Sequence, residues 1–586
     1  MILLTRIAKK KGFHNKEPQS FSLLNQSVAK ELKVYNSIAT KFFSGFLALL
    51  IISLSAIAQD KEGDIANAEV VITKNRQIIL PKADRNFDKV APRQAEQTKA
   101  ELTYELKILP FNSPDYNPVL RPLKLKDQEI PKIYTNYVSA GFGNYASPYL
   151  EGFINSKRDR NKLFGAHFYH HSFGSGAVDN ANSSSGKTTI SAYGKLLGNQ
   201  ANVDGKLYYG NTSGNFYGYK PQATIKKDTL EQNYSQVGFS LGLENAKKSN
   251  FNYSAKAGFS SLKDNYKASE SEVSISTALS YQLPTSNVAA LGADYFLITR
   301  EDAKIASYQR NLLKIKPSYS IKSIDKLILE LGVNLAYQND QSSGSNSFNV
   351  FPNIKADYQL SNAVTAFGQL IGDVDKVSLH TIYQENFWVN SNQSLINSNR
   401  MYDFTGGLKG KVGKRVAFSL GVSSANLKSY YFYKSDLVNR AKFDLDYETG
   451  NTKRTNLFAQ LSFSQADVVK LSLRSDYFTY SRDSGLDAYH RPAYRLGFNS
   501  MFNVYNKLVF NADFIALGGM KAFDNEKKTS VELNPALDLG FKADYILSKN
   551  ASVFLKFNNL LSNNYQLYLT YPVRGFQAMA GISCTF

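Results

Sequence analysis

The chain of 586 residues is poor in cysteine, tryptophan and methionine, with one, one and five of them. A single cysteine excludes an intramolecular disulfide and any cysteine-built metal cluster, so no covalent staple substitutes for packing. Proline is also sparse, and seven of the 16 fall between residues 60 and 132. Beyond the leader no uncharged run reaches the ~20 residues that a spanning helix needs. No H-E-x-x-H motif is present, and no other signature of a resident metal or cofactor stands out. What is abundant is aromatic: 37 Tyr and 38 Phe, alongside 37 Gly. That balance suits strands better than helices.

The formal charge is +20. Residues 1–41 hold eight Lys/Arg against two Asp/Glu, so removing them leaves roughly +14. The remaining positive charges are scattered and form no basic block, which argues against a nucleic-acid partner. The stretch "KFFSGFLALLIISLSAIAQD", from Lys41 to Asp60, has a basic lead, an apolar run and an A-x-A pattern at Ala56 and Ala58. It reads as an export signal. A membrane-anchoring helix is the rival reading, weakened by the brevity of the run and by Ser44, Gly45, Ser53 and Ser55.

From about Ile133 the texture becomes alternation with period two. Leu327, Leu329, Leu331, Val333, Leu335 and Tyr337 take every second place, as do Phe348, Val350, Pro352, Ile354, Ala356, Tyr358 and Leu360. Such runs exceed the ordinary globular strand and match the ~9–11 residues that cross a bilayer at a tilt. Short turns near 157, 199, 245, 284, 322, 361, 411, 464, 504 and 548 alternate with longer polar connections, 261–269, 299–308, 373–399 and 425–452 among them. With one tight outer turn near 145, the pattern predicts 22 strands with both ends on one side. Short turns on one face and long loops on the other are the asymmetry of outer-membrane barrels. Closure is required because lipid cannot satisfy an open sheet edge.

Three stretches invite a chemical reading. "ANSSSGKT" (Ala181–Thr188) fits a loose phosphate-loop pattern, but an alternating strand follows where a helix is needed. "HFYHH" supplies His167, His170 and His171; on a strand the outer two lie roughly 13 Å apart, and His170 and His171 face opposite sides. His380 and His490 are the candidates for a rim enzyme, His490 being placed beside Arg491 at the start of an "HRP" strand. No catalytic activity, metal or cofactor is expected. "WVNSNQSLINSNRMY" (388–402) reads equally as a ligand- or partner-binding loop and as a solvated surface.

The tail "FLKFNNLLSNNYQLYLTYPVRGFQAMAGISCTF" (554–586) resembles the C-terminal part of TonB-dependent receptor barrels, especially the plug-lacking relatives of Bacteroidetes. "YHRPAYRLGFNSMFNVYNKLVFNADFIALGG" (489–519) and "YVSAGFGNYASPYLEGFIN" (137–155) resemble the same group. The resemblance implies an all-β transmembrane antiparallel barrel in a Gram-negative outer membrane. It also implies that Phe576, Ile582 and Phe586 carry a signal to the barrel assembly machinery. The piece "AEVVITKNR" looks like the short box that engages TonB, over Glu69, Val70, Val71, Ile72 and Thr73, and suits strand addition. A generic extended segment is the other reading of it. The departure is the plug: only 73 residues separate Gln59 from Ile133.

The expected organisation is a leader and signal at 1–58, an irregular periplasmic extension at 59–132 and the barrel at 133–586. The expected function is a transport or uptake pore closed by its loops, its N-terminal arm or a partner lid or plug protein. The alternative is a non-conducting structural subunit of an outer-membrane complex. Partners expected are outer-membrane lipid, the assembly machinery and TonB or a plug protein.

Overall fold

The computed structural model describes residues 134–220, 225–340 and 345–586, the side chains of Ser345 and Asn346 excepted. The leader and residues 59–132, including the TonB-box-like segment at Glu69–Thr73, lie outside the described residues. No helix among the described residues is long and apolar enough to cross a membrane.

The described chain builds one 22-stranded antiparallel sheet. The first strand, Tyr137–Gly143, pairs with the last, Gln577–Thr585, from Tyr137↔Thr585 to Gly143↔Met579. That pairing closes the sheet and leaves no edge. The first hairpin turns tightly at Asn144–Ala146, where Tyr145 and Ala146 adopt φ of 60° and 47°. Ten short turns mark one end of the barrel and eleven connections the other; these are called the turn end and the loop end below.

Period-two alternation sets the two faces. Leu331, Val333 and Tyr337 are exposed on the outer face, as are Phe348, Val350 and Ile354. Ile582, exposed Cys584 and Phe586 share that face on the closing strand, so the cysteine is an outward-facing apolar side chain. The inner face is polar. Lys316 contacts Asp294 at 3.1 Å and Asp373 at 3.3 Å, Lys314 contacts Asp373 at 3.0 Å, and Arg454 reaches Asp403 at 3.2 Å.

Two expected long connections are shorter than the composition suggests. Strands 251–264 and 269–282 leave only residues 265–268 between them, and strands 288–302 and 305–324 leave only 303–304. Polar residues there continue the backbone ladder past the apolar band, because a strand outside lipid needs no apolar face. The segment 443–447 is a strand, but it pairs with 431–435 in a separate hairpin and takes no place in the barrel.

Candidate functional site

The loop-end connections fold together over the lumen. Residues 376–397 contribute the one α-helix among the described residues, α1 (Leu379–Glu385), and residues 429–450 the hairpin 431–447. Two smaller hairpins, 521–532 and 566–572, join them. A hydrophobic core forms among these loops and the inner wall. It includes Ile382, Leu395, Tyr433 and Phe443, each at most 1% exposed, with Trp388 packed against it. Aromatic rings dominate this lid: Trp388 stacks on Tyr571 at 3.9 Å between centroids, and Tyr217 meets Tyr571 edge-on at 4.7 Å. Gly218 is required for this contact, because a β-carbon there would lie 2.6 Å from the Tyr571 ring.

The centre of the lid is electrostatic. Glu385, the last residue of α1, pairs with Arg491 and accepts hydrogen bonds from Tyr431 Oη at 2.6 Å and Tyr433 Oη at 3.1 Å. Tyr568 donates to the Glu385 carbonyl at 2.7 Å. The Arg491 guanidinium lies over the Tyr430 and Tyr431 rings at 5.2 and 5.4 Å. Burial first, and the Glu385 carboxylate next, push the Tyr431 and Tyr433 phenols far above their ordinary range, so both remain donors. His490 Nδ1 donates to the Leu567 carbonyl at 3.1 Å, and burial pushes its imidazole down to about 4.

The lid is tied to the wall by buried charge. Arg310 donates to the Val377 carbonyl at 2.8 Å and to Asn397 Oδ1 at 2.6 Å. Arg300 donates to the Gln393 carbonyl at 2.6 Å. Glu270 accepts from the backbone N–H groups of Leu379 at 2.9 Å and His380 at 3.4 Å, while Ser378 Oγ accepts from Thr381 N at 3.2 Å. These acceptors satisfy the free amides at the start of α1. Lys376 binds Glu272 at 2.5 Å.

Beneath α1, against strands 201–215, 231–245, 251–264 and 269–282, lies a cavity of about 500 Å³. Its lining includes Lys206, Lys256, Gln236, Ser240, Glu272 and His380. Gly238–Gly242 spells G-x-S-x-G, the pattern of a hydrolase nucleophile elbow. Here Ser240 sits in the middle of strand 231–245, with no turn into a helix, and among the described residues no hydrogen bond joins it to His380.

The other marked residues separate. His167 and His171 face the lumen, bonded to Glu151 and to Ser147, each at 3.0 Å, while His170 faces outward and contacts Thr188 at 2.8 Å. Lys187 and Thr188 lie within strand 185–197, so the phosphate-loop pattern has no helix behind it. Tyr489 and His490 precede their strand, which starts at Tyr494, and are buried in the lid; the "HRP" start is corrected accordingly. The Asn/Ser-rich stretch after Trp388 is neither a solvated surface nor an open loop, for Leu395, Asn397 and Ser398 are buried. Phe576, Ile582 and Phe586 all stand exposed on or beside the closing strand. Glu385 and Arg491 were not singled out as a pair by sequence reasoning. The available signal was that Glu385 is the one acidic residue between Asp375 and Asp403.

No known protein family matches the chain by sequence profile, and no curated protein matches it by sequence. Solved structures do. The FrpB iron transporter of Neisseria meningitidis superposes with a TM-score of 0.62 at 10% identity, over 78% of this chain and 82% of that one. The ferric enterobactin receptor PfeA of Pseudomonas aeruginosa gives 0.59 at 12% identity, over 77% and 80%. The ferric-catecholate import receptor Fiu of E. coli K12 gives 0.59 at 10%, over 78% and 82%. The chain therefore shares the barrel fold of these receptors and transporters. These neighbours are receptors and transporters, not enzymes.

Proposed function

We propose that this chain is an outer-membrane uptake barrel, like a TonB-dependent receptor, whose lumen is closed at the loop end by its own lid. The lid core carries the reading: loops that only decorated a rim would not bury Ile382 and Phe443 completely. A 22-stranded barrel is wide enough to need closure, and the receptor fold favours passage of a solute over catalysis. The alternating outer face suits the lipid of a Gram-negative outer membrane. Planar-bilayer conductance tests it. The intact protein should be nearly silent, and replacing residues 378–397 with a short Gly/Ser linker should produce large, stable steps. Silence from the correctly folded deletion would overturn closure by the lid.

One observation favours a second reading, a non-conducting subunit of a larger complex. Leu437 and Val438, at the tip of the 431–447 hairpin, are 80% and 97% exposed. Two apolar side chains held outward suit a partner's surface. Co-purification of a partner with the intact chain, lost in Leu437→Ser/Val438→Ser, would support it. Two further expectations belong here. Deleting Phe586 should reduce the inserted fraction, and normal insertion without it would remove the proposed assembly signal. Site-specific cross-linking from Glu69–Thr73 should capture TonB if that segment is a TonB box.

A further inference from the structure

The cavity under α1 has a definite chemical bias. Five charged side chains line it: Lys206, Lys256, Lys376, Glu270 and Glu272. Both carboxylates are already engaged. Glu272 holds Lys376 at 2.5 Å, and Glu270 accepts the Leu379 and His380 amides. Lys206 and Lys256 have no ion-pair partner among the described residues; Lys206 lies over the Tyr208 ring at 6.0 Å. Both lysines keep solvent exposure, so two like charges face one partly enclosed space that water and a solute can reach.

The neutral groups add donors. Gln236 Nε2 donates to His380 Nδ1 at 3.1 Å, which leaves the ring proton on Nε2. Burial holds this imidazole below its ordinary value, so it is neutral at pH 7. Ser240, Ser260, Ser274, Ser378 and Thr381 supply hydroxyls around the lysines. The volume suits a small molecule. Lys376, Ser378, His380 and Thr381 come from the lid, so the cavity has its roof only while α1 is docked.

We propose that this cavity binds a small anionic, hydroxylated solute, a sugar bearing a carboxylate or a phosphate, with Lys206 and Lys256 holding the anion and the lid helix covering it. The proposal rests on the uptake reading only in calling that solute cargo. Binding itself needs no open pore. The anion takes the place of a counter-ion between the two ammonium groups, and the serines replace water around the sugar hydroxyls.

Equilibrium dialysis of the detergent-purified full chain tests this with three probes: glucuronate, glucose 6-phosphate and glucose. At low salt one or both anions should bind saturably and at least about tenfold more tightly than glucose, with the preference falling as salt screens the lysines. Whichever anion binds more tightly identifies the acid group. Lys206→Gln/Lys256→Gln should lower that affinity at least about tenfold while leaving the emission of Trp388, the sole tryptophan, unchanged as a check on the lid. Equal binding of glucose, unaltered binding by the folded double variant, or no saturable binding of either anion would overturn the site. A failed conductance test with intact anion binding would instead remove the uptake reading and leave the site standing.

Discussion

The barrel wall and the lid are two regions held together by opposite arrangements. The wall puts its apolar side chains outward, Leu457 at 55% exposure and Leu241 at 57%, and its charges inward. Its cohesion comes from an uninterrupted backbone ladder, because lipid leaves those groups no other partner. The lid is built like a small soluble domain, with apolar groups inside and a hydrophobic core joined across several loops. The same chain thus obeys two solvents, and a substitution should have its effect according to which solvent the site faces.

The largest expected effect is in the lid core. Phe443 is fully buried and lies 5.4 Å from the His490 ring and 5.5 Å from the Tyr568 ring. Phe443→Ala should destabilise the lid by about 3–5 kcal/mol while leaving the barrel inserted. Red-shifted Trp388 emission and faster proteolysis of the loops would register it. An unchanged emission spectrum and unchanged proteolysis would mean that the lid does not depend on this core.

A wall substitution should behave in the reverse way. Leu457 lies near the middle of strand 451–465 and faces outward. Leu457→Arg should cost about 2–4 kcal/mol, the depth-dependent range for a cation facing lipid. Gln460→Arg, on the inward face of the same strand, should cost little. Urea unfolding in lipid vesicles gives both values. Equal costs would erase the distinction between the faces.

The contrast in legibility has the same origin. The wall was readable because one face repeats every second residue: Leu327 to Tyr337 and Phe348 to Leu360 follow the outer face throughout. The lid has no period. Trp388 stands in an Asn/Ser-rich stretch, and its neighbours Tyr571 and Tyr217 come from distant connections, so no local pattern announces their meeting. Glu385 and Arg491, 106 residues apart, likewise pair only once two loops have crossed the lumen. The extended ladders at 251–282 were hidden because a polar strand beyond the membrane resembles a loop in composition.

Acid should loosen the lid before the wall. His490 is buried and held down to about 4 by desolvation, against about 6.5 when the chain is open. Its folded pKa is the lower one, so the open lid binds the extra proton between those values. The contribution is complete above about pH 6.5 and is lost as pH falls towards 4, by at most about 3 kcal/mol. Asp444, raised first by burial, acts in the opposite sense, favouring the closed lid as its carboxyl is protonated in more acidic solution. Trp388 emission followed from pH 7 to 4 should therefore shift to the red, and His490→Gln should flatten the change. A wild-type curve that is already flat would remove His490 as its cause.

The smallest effect tests how wet the lumen wall is. Lys355 meets Glu330 at 2.8 Å on the inner face, with side-chain exposures of 45% and 25%. Where wall and lid meet, Arg482 meets Glu448 at the same 2.8 Å, with exposures of 2% and 1%. Distance alone would rank the pairs together; solvent separates them. Water screens the first pair, so Lys355→Ala should change urea stability by no more than about 1 kcal/mol. Removing Arg482 leaves a buried carboxylate and should cost several times more. If the two costs were alike, the inner wall would be as dry as the lid, and the lid would extend further down the lumen than its loops alone account for.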